Sequence, residues 1–230
     1  MMRQFIHYFW GTIRRPGPTL EALAAQGTVR WALIAASLGT LQVWGNMALH
    51  ALFGLDWLGT RPDLAEPTFV GGFGYVRVGL ANWVPIFAAL MPLFFVLNLV
   101  IMPGIAQLMS KLWHGKGTYE QMVNTIAFAA AVPSVVIGAA SEWLFGVPID
   151  LLSGHGYWWT AAMHGEFGPA VAAIWNFYVI GVYSALQYGW IIALGAIAIR
   201  RIQRIPVWAA ILTSLVGFAV HMLIASVFVR

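Results

Sequence analysis

The six histidines are the residues of this chain best suited to chemistry, because it contains no cysteine. His50 and His221 each fall inside a long apolar run. Two neutral imidazoles at matching depth on facing helices form the ligand set of a membrane haem. The plainer reading gives each imidazole a hydrogen bond between helices. His155 and His164 lie nine apart, between two apolar runs. A metal site there needs a third ligand that the neighbouring sequence does not offer, and the plainer reading leaves both solvated. No Ser/His/Asp set and no carboxylate pair accompanies these residues, so no enzymatic activity is expected. The lack of cysteine also removes disulfides, thiolate-bound zinc and iron–sulfur clusters.

The stretch from Trp113 to Met122, WHGKGTYEQM, is the longest polar run in the middle of the chain. Two glycines and a lysine suggest a loop that cradles phosphate. The spacing does not match G-x-x-x-x-G-K-[ST], and no strand precedes it. A helix start explains it better. Thr118 and Gln121 have the T-x-x-Q spacing of a capping box, and Glu120 falls in the first turn, where the helix dipole favours an acid. Gly115 and Gly117 are expected to supply the backbone angles of a sharp reversal.

These residues must be positioned by apolar elements. The chain has 230 residues, 60% hydrophobic and 9% charged, whereas soluble domains carry about 25% charged residues. Uncharged runs of roughly 20 residues recur, enough to cross a bilayer core, and they lack the alternation of barrel strands. The fold class expected is therefore an all-α polytopic membrane protein. Five transmembrane helices are placed at about 31–54, 83–110, 121–145, 169–199 and 206–228, with residues 1–30 as a cytoplasmic interfacial segment. Pro85, Pro92 and Pro103 should kink or split the second span. The amino-terminal residues lack the apolar core and cleavage site of a secretory signal.

Basic residues set the orientation. Arg3, Arg14, Arg15 and Arg30 precede the first span, Lys111 and Lys116 separate the second and third, and Arg200, Arg201 and Arg204 separate the fourth and fifth. The positive-inside rule then puts the N-terminus in the cytoplasm and the C-terminus outside. The net charge of +4 thus reports orientation and implies no nucleic-acid partner. Trp31, Trp113 and Trp208 fall near span ends, as interfacial rings should. Phe5, Ile6, Phe9, Trp10 and Ile13 recur at helical spacing, giving a short helix that lies either in the headgroup layer or against the bundle. The aromatic segment 153–169 is expected to rest on the outer leaflet or on another subunit.

No charge falls near the centre of any span, which argues against a pump. The amides Gln42, Asn46, Asn98, Gln107, Asn124, Asn176 and Gln187 should bond between helices. Gly181, Ala185, Gly189 and Ala193 form a small-residue ladder on the fourth span, and Thr213 and Gly217 repeat the device on the fifth, with His221 on the same stripe. Such ladders let another helix approach closely.

The run G-K-G-T-Y-E-Q at 115–121, followed by AFAAAVPSVV at 127–136, resembles the central motif of the Yip family, the Ypt/Rab-interacting membrane proteins. RRPGPTLEAL at 14–23 is similar to the proline-containing segment ahead of that family's first span. The resemblance implies a five-helix domain over 31–230 with a cytoplasmic N-terminus, and makes Gly115, Gly117, Tyr119 and Pro133 structural positions. Eukaryotic members are associated with small GTPases and vesicle traffic, but an amino-terminal segment of about 30 residues leaves a GTPase little to grip. The expected function is a non-enzymatic scaffold or accessory subunit of the bacterial inner membrane. It would contact membrane lipid and other membrane protein subunits and need no cofactor. The alternative is a small haem-binding electron-transfer subunit or a channel-like transporter.

Overall fold

The computed structural model describes residues 2–26, 28–52, 80–139 and 182–228. His155, His164, Gly181 and the aromatic segment 153–169 lie outside the described residues, as does the side chain of His50. The described chain forms helices joined by short links, with no strand among the described residues: α1 (Met2–Arg14), α2 (Pro16–Gln26), α3 (Val29–Leu52), α4 (Leu80–Leu112), α5 (Tyr119–Pro133), α6 (Ser184–Gln203) and α7 (Val207–Phe228). Among the described residues, three segments are long and apolar enough to cross a membrane: Phe95–Leu112, Tyr119–Gly138 and Ala185–Gln203. A shorter apolar helix, Val207–Leu223, follows.

α5 is the central post. Met122 to Ala129 are buried without interruption, so this helix is covered on every side. It packs against α1, α2, α3, α4 and α6. Phe128 is fully buried at its middle. The ring of Phe5 lies 5.3 Å from it and that of Tyr8 lies 6.5 Å away at 82°. Trp31 joins this cluster, 5.9 Å from Phe5. Trp31 is therefore a core residue, not the interfacial ring its position suggested, because α1 folds over it. α1 is two-faced. Phe5, Tyr8 and Thr12 are buried against the bundle, while Ile6 and Trp10 stay exposed, with the Arg14 guanidinium 5.8 Å from the Trp10 ring.

Proline shapes the two long central helices in different ways. α4 runs unbroken from Leu80 to Leu112 through Pro85, Pro92 and Pro103, so the second span is not split. Each proline removes one amide donor, and the turns around it carry the helix on. In α5 the regular helix stops at Pro133, and the chain widens into a π-helical turn at Ser134–Ala139. Ser134 donates its N–H towards the Ala130 and Ala131 carbonyls, and its hydroxyl donates to Ala130 O at 2.8 Å.

The reversal between α4 and α5 is built differently from its sequence-based expectation. His114 takes the left-handed conformation, φ 60°, and Gly115 and Gly117 serve close approach instead. A Cβ on Gly115 would lie 2.5 Å from Gln203 Oε1 and 2.8 Å from Ser110 O; one on Gly117 would lie 2.6 Å from Ile202 Cγ2. The end of α6 occupies the space those side chains would need. The capping box of α5 is complete: Thr118 Oγ1 accepts from the Gln121 N–H at 3.3 Å, and Gln121 Oε1 accepts from the Thr118 N–H at 3.0 Å.

The two roles separate by mutation. His114→Gly relieves left-handed strain of about 1 kcal/mol, offset by a comparable entropy gain of the unfolded chain, so its stability should match the parent within about 0.5 kcal/mol. Gly115→Ala forces backbone apart and should cost about 2 kcal/mol. Denaturant titration in mixed micelles measures both, and equal losses from the two variants would contradict this division of labour.

Candidate functional site

The end of the bundle where α4, α5 and α6 meet is held by a ring of amides. The Gly117 N–H donates to Gln203 Oε1 at 2.9 Å. Gln203 Nε2 donates to Gln107 Oε1 at 2.5 Å. Gln107 Nε2 donates back to the Gly117 carbonyl at 2.9 Å. Each amide both gives and accepts, so the cycle closes. Gln203 is fully buried, where an unpartnered carboxamide would be costly. The Lys116 N–H adds a bond to Gln203 O at 3.1 Å, and Lys111 Nζ donates to Gly115 O at 2.8 Å, a cation placed on the carbonyl end of its helix.

Asn124 ties in the amino-terminal side. With its amide oriented to suit its partners, its nitrogen donates to Thr28 O at 2.8 Å and its oxygen accepts from the Thr28 N–H at 3.3 Å. Gln107 and Asn124 thus bond between elements, as intramembrane amides should, but Gln203 was not singled out by sequence. Its only signal was a lone amide among the arginines that follow the fourth span.

These bonds collect the basic residues. Lys111 and Lys116 belong to the ring's loop. Arg201 bonds Glu21 of α2 at 3.2 Å, and Arg204 ends α6 in a left-handed conformation, φ 56°. Arg15 forms the one-residue link between α1 and α2. Lysines and arginines from three separate stretches of sequence therefore share one end of the bundle. Trp113 and Trp208 meet there edge to face, with centroids 4.6 Å apart.

The two small-residue stripes have different fates. On α7, Thr213 and Gly217 are buried, and a Cβ on Gly217 would touch Met102 of α4 at 3.9 Å. This stripe is used within the chain. On α6, Ala185, Gly189 and Ala193 are exposed, and a Cβ on Gly189 would meet nothing within 4 Å among the described residues. The other face of α6 is taken up by α7: Ser214 Oγ donates to Ile192 O at 2.8 Å, and a Cβ on Gly195 would lie 2.5 Å from that hydroxyl. Two turns beyond Ala193 the same face carries the exposed Arg200, so one face of α6 runs from small residues to a guanidinium.

His221 borders an apolar cavity of about 90 Å3 shared with Gly39, Phe95, Pro103, Ser134 and Val135. The cavity lies where the helices are least regular, beside the π-helical turn and a proline of α4. The Phe218 ring stands 5.9 Å from His221. The imidazole of His50, the other half of the pair considered for a haem, lies outside the described residues. Among the described residues no group of three metal-ligating side chains occurs. Of the motif positions, Tyr119 donates its hydroxyl to Val100 O at 2.9 Å, linking the start of α5 to the middle of α4, and Pro133 is buried where the π-helical turn begins.

Replacing Gln203 by leucine strands the Gly117 N–H and Gln107 Oε1. Each lost partner of a buried group costs about 1–3 kcal/mol, so Gln203→Leu should cost about 3 kcal/mol. Gln107→Leu/Gln203→Leu should cost at least 1 kcal/mol less than the sum of the single changes. A double-mutant cycle in mixed micelles measures this coupling, and additive losses would mean that the ring does not act as a unit.

No family model, curated protein or solved structure matches this chain.

Proposed function

We propose that this chain is a multi-pass protein of the bacterial inner membrane, with five crossings, its amino end in the cytoplasm and its carboxy end outside. It acts as a non-enzymatic scaffold or accessory subunit that packs against another membrane protein. The observation that carries this reading is the open face of α6, where Ala185, Gly189 and Ala193 are uncovered and Gly189 has clear space beside it. In lipid, burial of apolar surface gives helices no net pull towards each other. Association then depends on how closely backbones approach, which small residues permit. A face of this kind on a helix apolar enough to cross a membrane suits a partner helix.

The Yip-like arrangement belongs to the same proposal. It rests on G-K-G-T-Y-E-Q at 115–121, where the glycines admit the end of α6 and Thr118 with Gln121 starts α5. A scaffold needs fixed geometry more than reactive groups, and this segment supplies fixed geometry.

Two measurements test the proposal. Single cysteines introduced at Lys116 and Arg204 of this cysteine-free chain should both react with a membrane-impermeant maleimide only after the inner face is opened; labelling from opposite faces would end the topology. Gly189→Leu should abolish recovery of a stoichiometric membrane partner in mild detergent. The isolated protein's unfolding midpoint should stay unchanged, because the position touches none of the described residues. Purification of the parent protein as a lone monomer would remove the support for an accessory role.

A further inference from the structure

The basic end of the bundle contains a groove that the scaffold reading does not use. Its walls are Arg15, Arg200 and Arg201, its floor is Gly17 and Pro18 at the start of α2, and Ile197 closes its apolar side. Arg201 is steered into place from two directions. Glu21 bonds its guanidinium at 3.2 Å, and the first turn of α2 lies against it, with the Cβ position of Gly17 in van der Waals contact with Nη2 at 3.4 Å. Arg15 and Arg200 are exposed and form no ion pair among the described residues. Three guanidiniums thus face one concavity beside a single acid, and the positive end of the α2 dipole points the same way. An anion is the ligand this arrangement fits, and the guanidinium fork matches phosphate oxygens bidentately.

Depth identifies the source of that phosphate. The apolar stretch of α6 runs from Ala185 to Gln203, and at 1.5 Å per residue its length is close to the thickness of a bilayer core, about 30 Å. Arg200 and Arg201 therefore stand at the level of lipid headgroups, with Ile197 one turn towards the acyl chains. The same end carries the exposed Ile6 and Trp10 of α1, an apolar edge suited to that layer.

We infer that the groove between the α1–α2 link and the end of α6 binds the phosphate of an anionic phospholipid, with Arg15, Arg200 and Arg201 as its ligands. This inference needs α6 to cross the membrane but does not need a protein partner, so it can fail while the scaffold reading stands.

Native mass spectrometry of the full chain in mild detergent, with dioleoylphosphatidylglycerol or dioleoylphosphatidylcholine added, tests it. The parent protein should retain the anionic lipid about tenfold more than the zwitterionic one. Arg15→Gln/Arg200→Gln should lower that retention by about fivefold for each arginine removed. Arg30→Gln/Lys116→Gln removes the same charge elsewhere and should leave it intact. Equal loss from the second pair, or displacement of the lipid by millimolar inorganic phosphate or by polyglutamate, overturns the assignment. A phosphatidylglycerol carrying a diazirine near its headgroup gives a test free of variants. It should label residues 15–18 and 197–201 of the parent protein, and labelling confined to other segments overturns the inference.

Discussion

The closed ring of Gln107, Gly117 and Gln203 is the constraint on which the arrangement of this bundle depends. An apolar helix slides or rotates against its neighbours at little cost, because one greasy contact resembles another. A buried carboxamide does not have that freedom, since leaving its donors and acceptors unmatched costs more than the bond itself contributes. Gln203 is fully buried and finds both of its partners only when α4, the 115–118 loop and α6 stand in one register. The ring therefore fixes relative height and rotation, and packing of aliphatic side chains fills in around it. The glycines follow from this. Gly115 and Gly117 leave space for the Gln203 side chain and the end of α6, and a methyl group at either position would push the ring apart.

From that fixed end the rest of the structure is organised around α5. Its first turn is capped by Thr118 and Gln121, its middle presents Phe128 to the aromatic cluster of α1 and α3, and its far part loosens into the π-helical turn. Regularity falls along the helix as distance from the ring grows. The cavity beside His221 occupies the irregular part, where Pro103 and the widened turn keep helices from closing fully. The small residues of α7 and the Ser214 bond to Ile192 hold the outer helices together by the close approach that membrane helices use.

How much of this could be read beforehand depends on whether the deciding partners were near in sequence. The capping box was legible because Thr118 and Gln121 are three apart. The helices were legible because charge and apolar runs are local properties, and a helix covers part or all of each expected span. The ring was not legible, since Gln107 and Gln203 are separated by 96 positions and neither amide announces the other. Trp31 was misplaced for the same reason: its neighbourhood in sequence looks like a span end, but α1 brings Phe5 and Tyr8 over it. Gly115 and Gly117 were noticed and given the wrong task. A glycine that serves a turn and one that serves a close approach look alike until the approaching element is known. Pro133 was visible too, but the π-helical turn that follows it has no local sequence signal.

The exposed face of α6 joins two chemistries that are usually separate. Ala185, Gly189 and Ala193 make a smooth channel, and two turns further on the same face carries Arg200. Whatever lies along the channel is a neighbour of whatever is held at the arginines. On the readings proposed above, a docked helix and an acyl chain compete for the same shaft, and linkage then requires each to alter the other's affinity by an equal factor. Were both to bind, the make-up of the surrounding bilayer would become an input to assembly with no moving part.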